Sequence, residues 1–363
     1  MVNGTLTTTA GTGILDMTAA YTLGGTLATI TNNGTIKTSV PTATSATPLP
    51  TGKTWGGSGT VLYGGATAQT VMQGTYSGDL TFSGAGAKTT EAGTITVGGN
   101  WDVSGGTATL STNNTSMTVT GNITGSGAIT SGSGTISLSG NWTNNGTFTC
   151  GGGTVNYAKT TGGQTVAGLT YNNLTLSNTS NTDTAAGNIV VGATFTTTAG
   201  GTLDMVTYTL SVATVANSGT ILTQNTSGTP LTTGKTWGGT VNYNAATGGQ
   251  TVMAGTYGVL TLGNTSGTDT ASGNITVTTL NNNTNAADIL NMVTYTLGAT
   301  TVNNTGTIRT QNTSGTPLPT GLTWGGTVNY DAATGGQTVM AGTYNNLTLS
   351  NTSGTDTARG IWW

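Results

Sequence analysis

The sequence predicts an all-β fold, and within that class a right-handed parallel β-helix (β-solenoid) whose coils stack directly on one another. Three observations support this prediction. The composition suits strands and turns, an internal repeat of about 87 residues runs along the chain, and short alternating runs recur between clusters of turn residues. Repeats of this length are typical of solenoids and related arrays.

The composition favours strands over helices. Among 363 residues there are 61 Gly, about a quarter are Thr, and only 7 are basic and 10 acidic. Gly and Thr are poor helix formers, whereas many β-branched residues at low charge favour strands. Apolar residues make up 34% of the chain, which is more than a disordered chain rich in Gly and Asn usually contains.

Several classes of function are excluded or disfavoured by residues that the chain lacks. It contains no His, so His-based acid–base catalysis and His-ligated metal sites are impossible. Its single Cys cannot form a disulfide within the chain. A net charge of −3 argues against nucleic acid as a partner. No segment approaches the roughly 18 consecutive apolar residues of a membrane span.

The internal repeat is the strongest evidence for stacked coils. Residues 237–257 read WGGTVNYNAATGGQTVMAGTY, and residues 324–344 read the same except that Asp331 replaces Asn244, so the offset is 324 − 237 = 87 residues. More degenerate copies precede these two. The super-repeats are predicted at about 12–97, 146–200, 201–287 and 288–358, with irregular coils over 98–145.

Each super-repeat contains short runs in which large apolar and small polar residues alternate. Residues 240–243, 250–253 and 260–262 show the two-residue period of half-buried strands. Gly- and Asn-rich clusters between these runs supply turns. A coil of roughly 20–25 residues gives about four coils per super-repeat and about 16 in the chain. An array of sandwich domains is the main alternative, but no Pro-rich or charged linkers separate the super-repeats.

One segment resembles a known group of proteins. Residues 140–178 contain GNW, NNGTF, GGTVNY, GGQTV and YNNLTL in that order, and they resemble the repeats of filamentous-haemagglutinin-like adhesins and autotransporter-passenger-like proteins. The resemblance implies a right-handed β-helix, export to the bacterial cell surface, and a role as a stalk or adhesin with glycans or surface proteins as partners. The chain departs from these families because no signal peptide, secretion-recognition domain, translocation barrel or sorting motif is recognisable in it. The extracellular or cell-surface location is therefore implied by the resemblance alone.

The two ends suggest a segment of a longer protein. The chain opens within repeat-like sequence, and NTSGTDTA at 351–358 is followed by Arg359-Gly360-Ile361-Trp362-Trp363 instead of a further copy. We therefore expect residues 1–363 to form one continuous β-solenoid that is part of a longer repeat protein. Uncapped solenoid ends expose strand edges, so end-to-end self-association is also expected.

The acidic residues are predicted to serve the fold rather than a reaction. Asp183, Asp269 and Asp356 occupy the same repeat position within Thr-Asp-Thr, which indicates a turn former. With one such Asp per super-repeat, no ladder of carboxylates that could bind Ca²⁺ is expected between neighbouring coils. We therefore predict no catalytic, cofactor-binding or metal-binding residues, and no cofactor.

Two other motifs are interpreted as structural. Lys53 and Lys235 lie in GK[ST] tripeptides, but the first Gly of a phosphate-binding loop is missing and no helix follows. Trp55, Trp237 and Trp324 precede Gly-Gly at equivalent places. We predict that they fill a coil corner with the N–H bonded to a turn carbonyl, in preference to forming platforms for sugars.

These observations favour a structural function. We predict a structural or adhesive repeat segment of a secreted or surface-anchored bacterial protein, without catalysis. Two alternatives stay open: a carbohydrate- or ice-binding β-solenoid that uses Thr-rich faces, and a β-helix polysaccharide lyase or hydrolase. Ice binding requires Thr pairs at the same place in consecutive coils, and an 87-residue period does not predict them. A lyase or hydrolase requires acids clustered with Lys or Arg in one groove.

Overall fold

The chain folds as a parallel β-solenoid of about 18 turns, which confirms the predicted fold class. The computed structural model describes residues 1–282 and 284–360, and these residues contain no helix. Ile361, Trp362 and Trp363, which contributed to the expectation of a longer protein, lie outside the described residues. The right-handed sense of the coil stays a prediction.

The chain divides into two compact units of similar size. Unit 1 is Met1–Ser177 with Val191–Ala193, and unit 2 is Asn178–Val190 with Thr194–Trp363. The prediction of one continuous solenoid over the whole chain stays a prediction.

Unit 1 is built from short strands that alternate among three parallel sheets, so that a typical coil has three sides. The strands are β1 (Thr5–Thr8), β2 (Ile14–Asp16), β3 (Thr29–Asn32), β4 (Thr35–Thr38), β5 (Lys53–Trp55), β6 (Thr60–Tyr63), β7 (Gln69–Val71), β8 (Gly74–Tyr76), β9 (Leu80–Phe82), β10 (Lys88–Thr90), β11 (Thr94–Val97), β12 (Trp101–Val103), β13 (Thr107–Thr109), β14 (Ser116–Val119), β15 (Ile123–Gly125), β16 (Ala128–Thr130), β17 (Thr135–Leu138), β18 (Phe148–Thr149), β19 (Thr154–Tyr157), β20 (Thr165–Val166), β21 (Thr170–Tyr171) and β22 (Asn173–Leu176). The first sheet has the order β2-β4-β6-β9-β12-β15, the second β7-β10-β13-β16-β18, and the third contains β5-β8-β11-β14-β17-β19-β22.

Inward side chains of unit 1 form a thin apolar core. Alternate residues of each strand are buried, as in β11, whose two apolar residues are buried and whose two threonines face outward. Aromatic rings from successive coils meet edge to face in this core. The ring centres of Tyr63 and Phe82 are 6.0 Å apart, and those of Phe82 and Trp101 are 5.8 Å apart. The core therefore depends on contacts between neighbouring coils, as expected of a solenoid.

Unit 2 contains longer strands that turn a corner without a break. Its strands are β23 (Thr182–Ala185), β24 (Ile189–Thr197, of which Val191–Ala193 belong to unit 1), β25 (Thr202–Asp204), β26 (Leu210–Asn217), β27 (Thr220–Thr223), β28 (Lys235–Tyr243), β29 (Thr251–Val252), β30 (Gly255–Leu262), β31 (Gly267–Ala271), β32 (Ile275–Asn282), β33 (Asp288–Asn291), β34 (Leu297–Asn304), β35 (Thr307–Thr310), β36 (Leu322–Tyr330), β37 (Thr338–Val339), β38 (Gly342–Leu349) and β39 (Thr357–Ala358). One sheet contains β23-β25-β27-β28-β30-β32-β34, a second β29-β31-β33-β35-β36-β38, and β37 pairs with β39.

The Trp-Gly-Gly motif forms the corner of these long strands. The register between β28 and β30 shifts between Trp237 and Thr240, where the two glycines lie. The same shift occurs between Trp324 and Thr327 in β36. Gly is suited to such an irregularity because it has no side chain to clash with the neighbouring strand.

The single coil is the structural repeat, and its length varies. Thr35 pairs with Thr60, an offset of 60 − 35 = 25, and Leu203 pairs with Ile221, an offset of 221 − 203 = 18. Some coils are thus shorter than predicted, and the turns number about 18 instead of the expected 16. The strand pairs described in both units are parallel, so the alternative of antiparallel sandwich domains is wrong. The 87-residue super-repeat stays a description of the sequence.

Candidate functional site

A column of hydroxyl and amide side chains follows the outer face of the third sheet in unit 1. The register places one outward polar residue of each strand directly above that of the strand before it. We call this column the long polar ladder; its members are Thr54, Thr75, Thr96, Thr118, Ser137, Asn156 and Thr175. None of these residues is charged or buried.

A second column stands beside the long polar ladder, two residues earlier in each strand. It consists of Thr94, Ser116, Thr135, Thr154 and Asn173. Five consecutive strands therefore each present two hydroxyl or amide groups on one surface. The groups are spaced about 4.8 Å apart between coils and about 6.6 Å apart along a strand. The period of the sequence did not predict this recurrence in every coil.

Other faces carry similar but shorter columns. The second sheet of unit 1 has a ladder made entirely of threonine, which consists of Thr70, Thr89, Thr109, Thr130 and Thr149. In unit 2, Asn303 donates a side-chain hydrogen bond to Asn281 at 2.8 Å, and Asn281 donates one to Thr261 at 3.2 Å. The outer faces thus offer neutral hydrogen-bonding groups in regular rows.

A buried glutamine ties neighbouring coils together inside the repeat. Oε1 of Gln250 accepts the backbone N–H of Ala245 at 2.7 Å. Its Nε2 donates to the carbonyls of Thr223 and Asn225 in the preceding coil at 2.8 and 3.1 Å. One side chain therefore satisfies three backbone groups at a corner, where the strand ladder is interrupted.

Two buried tyrosines complete this cluster, which we call the glutamine clamp. The Tyr243 hydroxyl accepts the N–H of Met253 at 3.0 Å, and the Tyr257 hydroxyl donates to the carbonyl of the same residue at 2.5 Å. Burial raises the pKa of Tyr243 to about 12. The same clamp recurs as Gln69 with Tyr63 and Tyr76, Gln164 with Tyr157 and Tyr171, and Gln337 with Tyr330 and Tyr344. The repeated GGQTV and TY motifs are therefore structural.

Two of the three repeated Asp residues lie inside the coils. Asp183 is in β23 and Asp269 is in β31, and both are fully buried, so the prediction that they form turns is wrong. Oδ1 of Asp269 accepts the backbone N–H of Gln250 at 3.0 Å, and Oδ1 of Asp356 accepts that of Gln337 at 3.0 Å. The carboxylate thus continues the glutamine clamp into the next coil.

Other acidic residues are paired at separate places. Asp16 forms an exposed ion pair with Lys37 at 2.8 Å, and the hydrogen bond from Lys37 lowers the pKa of that carboxyl. Asp331 pairs with Arg309 in unit 2. Among the described residues there is no group of three or more Cys, His, Asp or Glu side chains that could hold a metal ion.

A buried lysine takes the place of the Asp in the first copy of the clamp. Lys88 pairs in register with Gln69, and its side chain is fully buried. Its Nζ donates to the carbonyls of Gly65 and Gly86 at 3.0 and 2.6 Å. Burial lowers the pKa of Lys88 to about 8. The alternation of β10 places Lys88 on the buried face. Because lysine is normally exposed, the residue type alone predicts the opposite face.

The titration of Lys88 is expected to make stability rise with pH. The pKa of about 8 in the fold lies below the ordinary 10.5, so between these values the unfolded chain binds more protons. The free energy of unfolding should therefore increase above about pH 8, by at most ~1.4 kcal/mol per pH unit. Urea denaturation at pH 7.5 and 9.5 measures the effect, and Lys88→Met should abolish it while the exposed control Lys159→Met retains it. Equal pH dependence in wild type and Lys88→Met would contradict this assignment.

The three repeated tryptophans fill the core as predicted, but their hydrogen bonding differs. Trp55, Trp237 and Trp324 are at most 1% exposed, so their rings offer no surface on which a sugar could stack. The ring of Trp55 stacks on Tyr76 with centres 6.2 Å apart, and that of Trp324 on Tyr344 with centres 6.3 Å apart. Nε1 of each tryptophan has no hydrogen-bond partner among the described residues, so the predicted bond to a turn carbonyl is wrong.

The lysines of the GK[ST] tripeptides bind backbone carbonyls. Nζ of Lys53 donates to Leu27 at 2.9 Å, and Nζ of Lys235 donates to Ala213 at 2.6 Å. Both carbonyl groups belong to the preceding coil. These lysines therefore link coils, in agreement with the structural interpretation of the motif.

Two similar grooves occur in unit 2 at equivalent sequence positions. The first, of about 240 Å³, is lined by residues that include Leu210, Leu231 and Met253. The second, of about 360 Å³, is lined by residues that include Leu297, Leu318 and Met340. Threonines contribute to both linings, so each groove combines apolar surface with hydroxyl groups.

Comparison with protein families, with curated proteins and with solved structures finds no match for this chain. Among the described residues, no helix is long and apolar enough to cross a membrane.

Proposed function

We propose that the chain is a structural and adhesive repeat segment of a secreted or surface-anchored bacterial protein. The observation that carries this proposal is the long polar ladder with its neighbouring column, which forms a regular and uncharged surface. Such a surface can exchange hydrogen bonds with the hydroxyl groups of glycans over several coils at once. Multiple weak contacts of this kind give useful affinity without a deep pocket.

The stacked coils support the structural part of the proposal. Each coil pairs its backbone with the coils on either side, and glutamine clamps such as that of Gln250 reinforce the corners. Contacts between neighbours allow such a structure to be extended by adding coils. A spacer or stalk at the cell surface needs this property, and it needs no reaction centre.

Labelling of intact cells tests the proposed location. Antibodies raised against the purified chain are expected to bind the cells that produce it without permeabilisation. Labelling that appears only after permeabilisation would contradict a surface location.

Removing hydroxyl groups from the long polar ladder should weaken binding to neutral polysaccharides. Thr96→Val and Thr118→Val keep the branched shape that suits a strand but remove two hydrogen-bonding groups. We expect the double variant to lose at least about fivefold in affinity for an immobilised neutral polysaccharide that the wild type binds. The matched control is Thr89→Val with Thr109→Val on the threonine ladder of the second sheet. No binding by the wild type across a panel of such polysaccharides would contradict the adhesive role.

Ice binding is a second candidate that the same observation favours. Pairs of hydroxyl or amide groups recur in five consecutive strands, although two of those strands contribute Asn in place of one Thr. A regular grid of this kind can order water. A thermal hysteresis assay tests this candidate, with the Thr96→Val and Thr118→Val variant as the comparison. Freezing and melting points that coincide for the wild type would contradict it.

A further inference from the structure

Two consecutive coils of unit 2 contain four buried side-chain oxygens without a hydrogen-bond partner among the described residues. They are Oδ1 of Asn264, Oδ2 of Asp269, Oδ1 of Asn282 and Oδ1 of Asp288. All four residues are 0% exposed. Buried polar atoms in folded proteins nearly always have a partner, so four unpaired acceptors in neighbouring coils call for a physical explanation.

The strand register brings the two aspartates to the same corner. In the next coil, Asp288 pairs with Gly267 and Leu290 pairs with Asp269. Asp288 therefore lies one coil further along than Asp269 and is offset from it by two residues along the strand. Gly267 has no side chain and a φ of +99°, which other residues rarely adopt. The position beneath Asp288 therefore holds no side chain of its own.

Asp269 and Asn282 each use one side-chain atom to bond a residue outside these two coils. Oδ1 of Asp269 accepts the N–H of Gln250 from the preceding coil, at 3.0 Å. Nδ2 of Asn282 donates to Asn304 in the following coil, at 2.8 Å. Each of these two side chains therefore keeps one oxygen without a partner among the described residues.

Among the described residues, Asn264 and Asp288 each form hydrogen bonds through one side-chain atom. Nδ2 of Asn264 donates to the carbonyl of Ser266 at 3.2 Å, and Oδ2 of Asp288 accepts the N–H of Asn285 at 3.1 Å. Oδ1 of each residue has no hydrogen-bond partner among the described residues.

The corner carries negative charge without a compensating cation. The ion pairs of the described residues do not include Asp269 or Asp288. Because the register places these two buried carboxylates at the same corner of neighbouring coils, their negative charges repel each other. A bound cation would remove this mutual repulsion.

We propose that this corner binds one calcium ion through Asp269, Asp288, Asn264 and Asn282. Two carboxylates and two amide carbonyls form a set of hard oxygen donors, which is the set that Ca²⁺ prefers, and Ca²⁺ tolerates irregular geometry better than Mg²⁺ does. Backbone carbonyls and water complete the usual six to eight ligands. The aspartates come from different repeat positions, so the period of the sequence did not reveal their proximity.

The site belongs to an enlarged coil. Gly255 pairs with Ile275, and Ile275 pairs with Leu297, so the coil that follows Ile275 is longer than the coil before it. The position one super-repeat before Asp288 is Gly201, so that copy lacks the second acid. Asp356 repeats both the clamp hydrogen bond and the unpaired Oδ2 of Asp269, so it is the matched control for a clamp aspartate acting alone.

Calorimetric titration of the full chain with CaCl₂ after chelator treatment tests the proposal. We expect one ion per chain with a Kd of roughly 0.1–1 mM, as in other weak calcium modules. In about 10 mM CaCl₂ the melting temperature should rise by roughly 5 °C, and clearly less in MgCl₂ or NaCl at matched ionic strength. No binding heat and no shift in melting temperature for the wild type would overturn the proposal, as would an equal shift in all three salts.

Three variants locate the ion. Asp269→Asn and Asp288→Asn should each lose calcium binding and the calcium-dependent shift, whereas Asp356→Asn should keep both. Circular dichroism in EDTA shows which variants fold. Asp288→Asn decides the test if Asp269→Asn does not fold. Among the described residues the Asp288 side chain accepts a single hydrogen bond, from Asn285, and an amide oxygen can accept it as well. Calcium binding retained by a folded Asp288→Asn would assign the ion to another place and overturn the proposal.

Discussion

Replacement of Gln250 by alanine is expected to lower the free energy of unfolding by about 3–5 kcal/mol. The side chain is 1% exposed and bonds three backbone groups, the N–H of Ala245 and the carbonyls of Thr223 and Asn225. Alanine removes all three bonds and leaves the backbone groups buried without partners. Each unsatisfied buried group costs about 1–3 kcal/mol, and partial access of water to the resulting space reduces the total.

Urea denaturation followed by circular dichroism measures this loss. Gln224→Ala is the matched control, because Gln224 is only partly buried and lies at the outer face of the preceding coil. We expect a change within about 0.5 kcal/mol for the control. Hydrogen exchange should show that the loss of protection in Gln250→Ala is concentrated in the coils of Thr223 and Gln250, because coils of a solenoid depend on their neighbours. A loss for Gln250→Ala no larger than that of the control would contradict the role of the glutamine clamp.

The strands could be predicted from the sequence because the alternation of side chains has a physical cause. A strand places successive side chains on opposite faces, so the run from Gln250 to Val252 already indicates which residues share a face. The same rule places Gln250 and Lys88 inside. A polar or charged side chain usually indicates the outer face of a strand, so the alternation alone predicts that these two residues are buried.

The partners of these buried polar groups could not be predicted from the sequence. The carbonyls that Gln250 binds belong to the preceding coil, and the length of a coil varies along the chain. A pairing between coils therefore needs the register, which no local pattern specifies. The long polar ladder could not be predicted for the same reason, because its members are separated by unequal numbers of residues.

The proximity of Asp269 and Asp288 shows the limit of periodicity most clearly. The 87-residue offset relates Asp269 to Asp356, which are far apart in the coil order. It does not relate Asp269 to Asp288, which lies in the very next coil. The second carboxylate, that of Asp288, belongs to the longer coil. It has no equivalent one super-repeat earlier, so the 87-residue offset does not predict it.

Replacement of Trp237 by alanine is expected to lower the free energy of unfolding by about 3–5 kcal/mol, whereas Trp237→Phe should cost only about 1–2 kcal/mol. Trp237 is 0% exposed and lies where β28 turns the corner, in register with Tyr257. Alanine leaves a large cavity between coils that are held by their own backbone ladders and cannot collapse to fill it. Phenylalanine keeps most of the ring volume, and it sacrifices no hydrogen bond because Nε1 has no partner among the described residues.

The two substitutions together distinguish a packing role from a hydrogen-bonding role. If the indole N–H contributed a bond to a turn carbonyl, Trp237→Phe would leave that carbonyl unpaired and approach the cost of alanine. The same pair of variants at Trp324, which occupies the equivalent corner of β36, should reproduce the ratio of the two losses, since its ring is equally buried and its Nε1 equally lacks a partner among the described residues. Thermal and urea denaturation of all four variants measure the losses. Equal losses for phenylalanine and alanine at both corners would show that these tryptophans stabilise the coil through their polar atom and not through the volume of the ring.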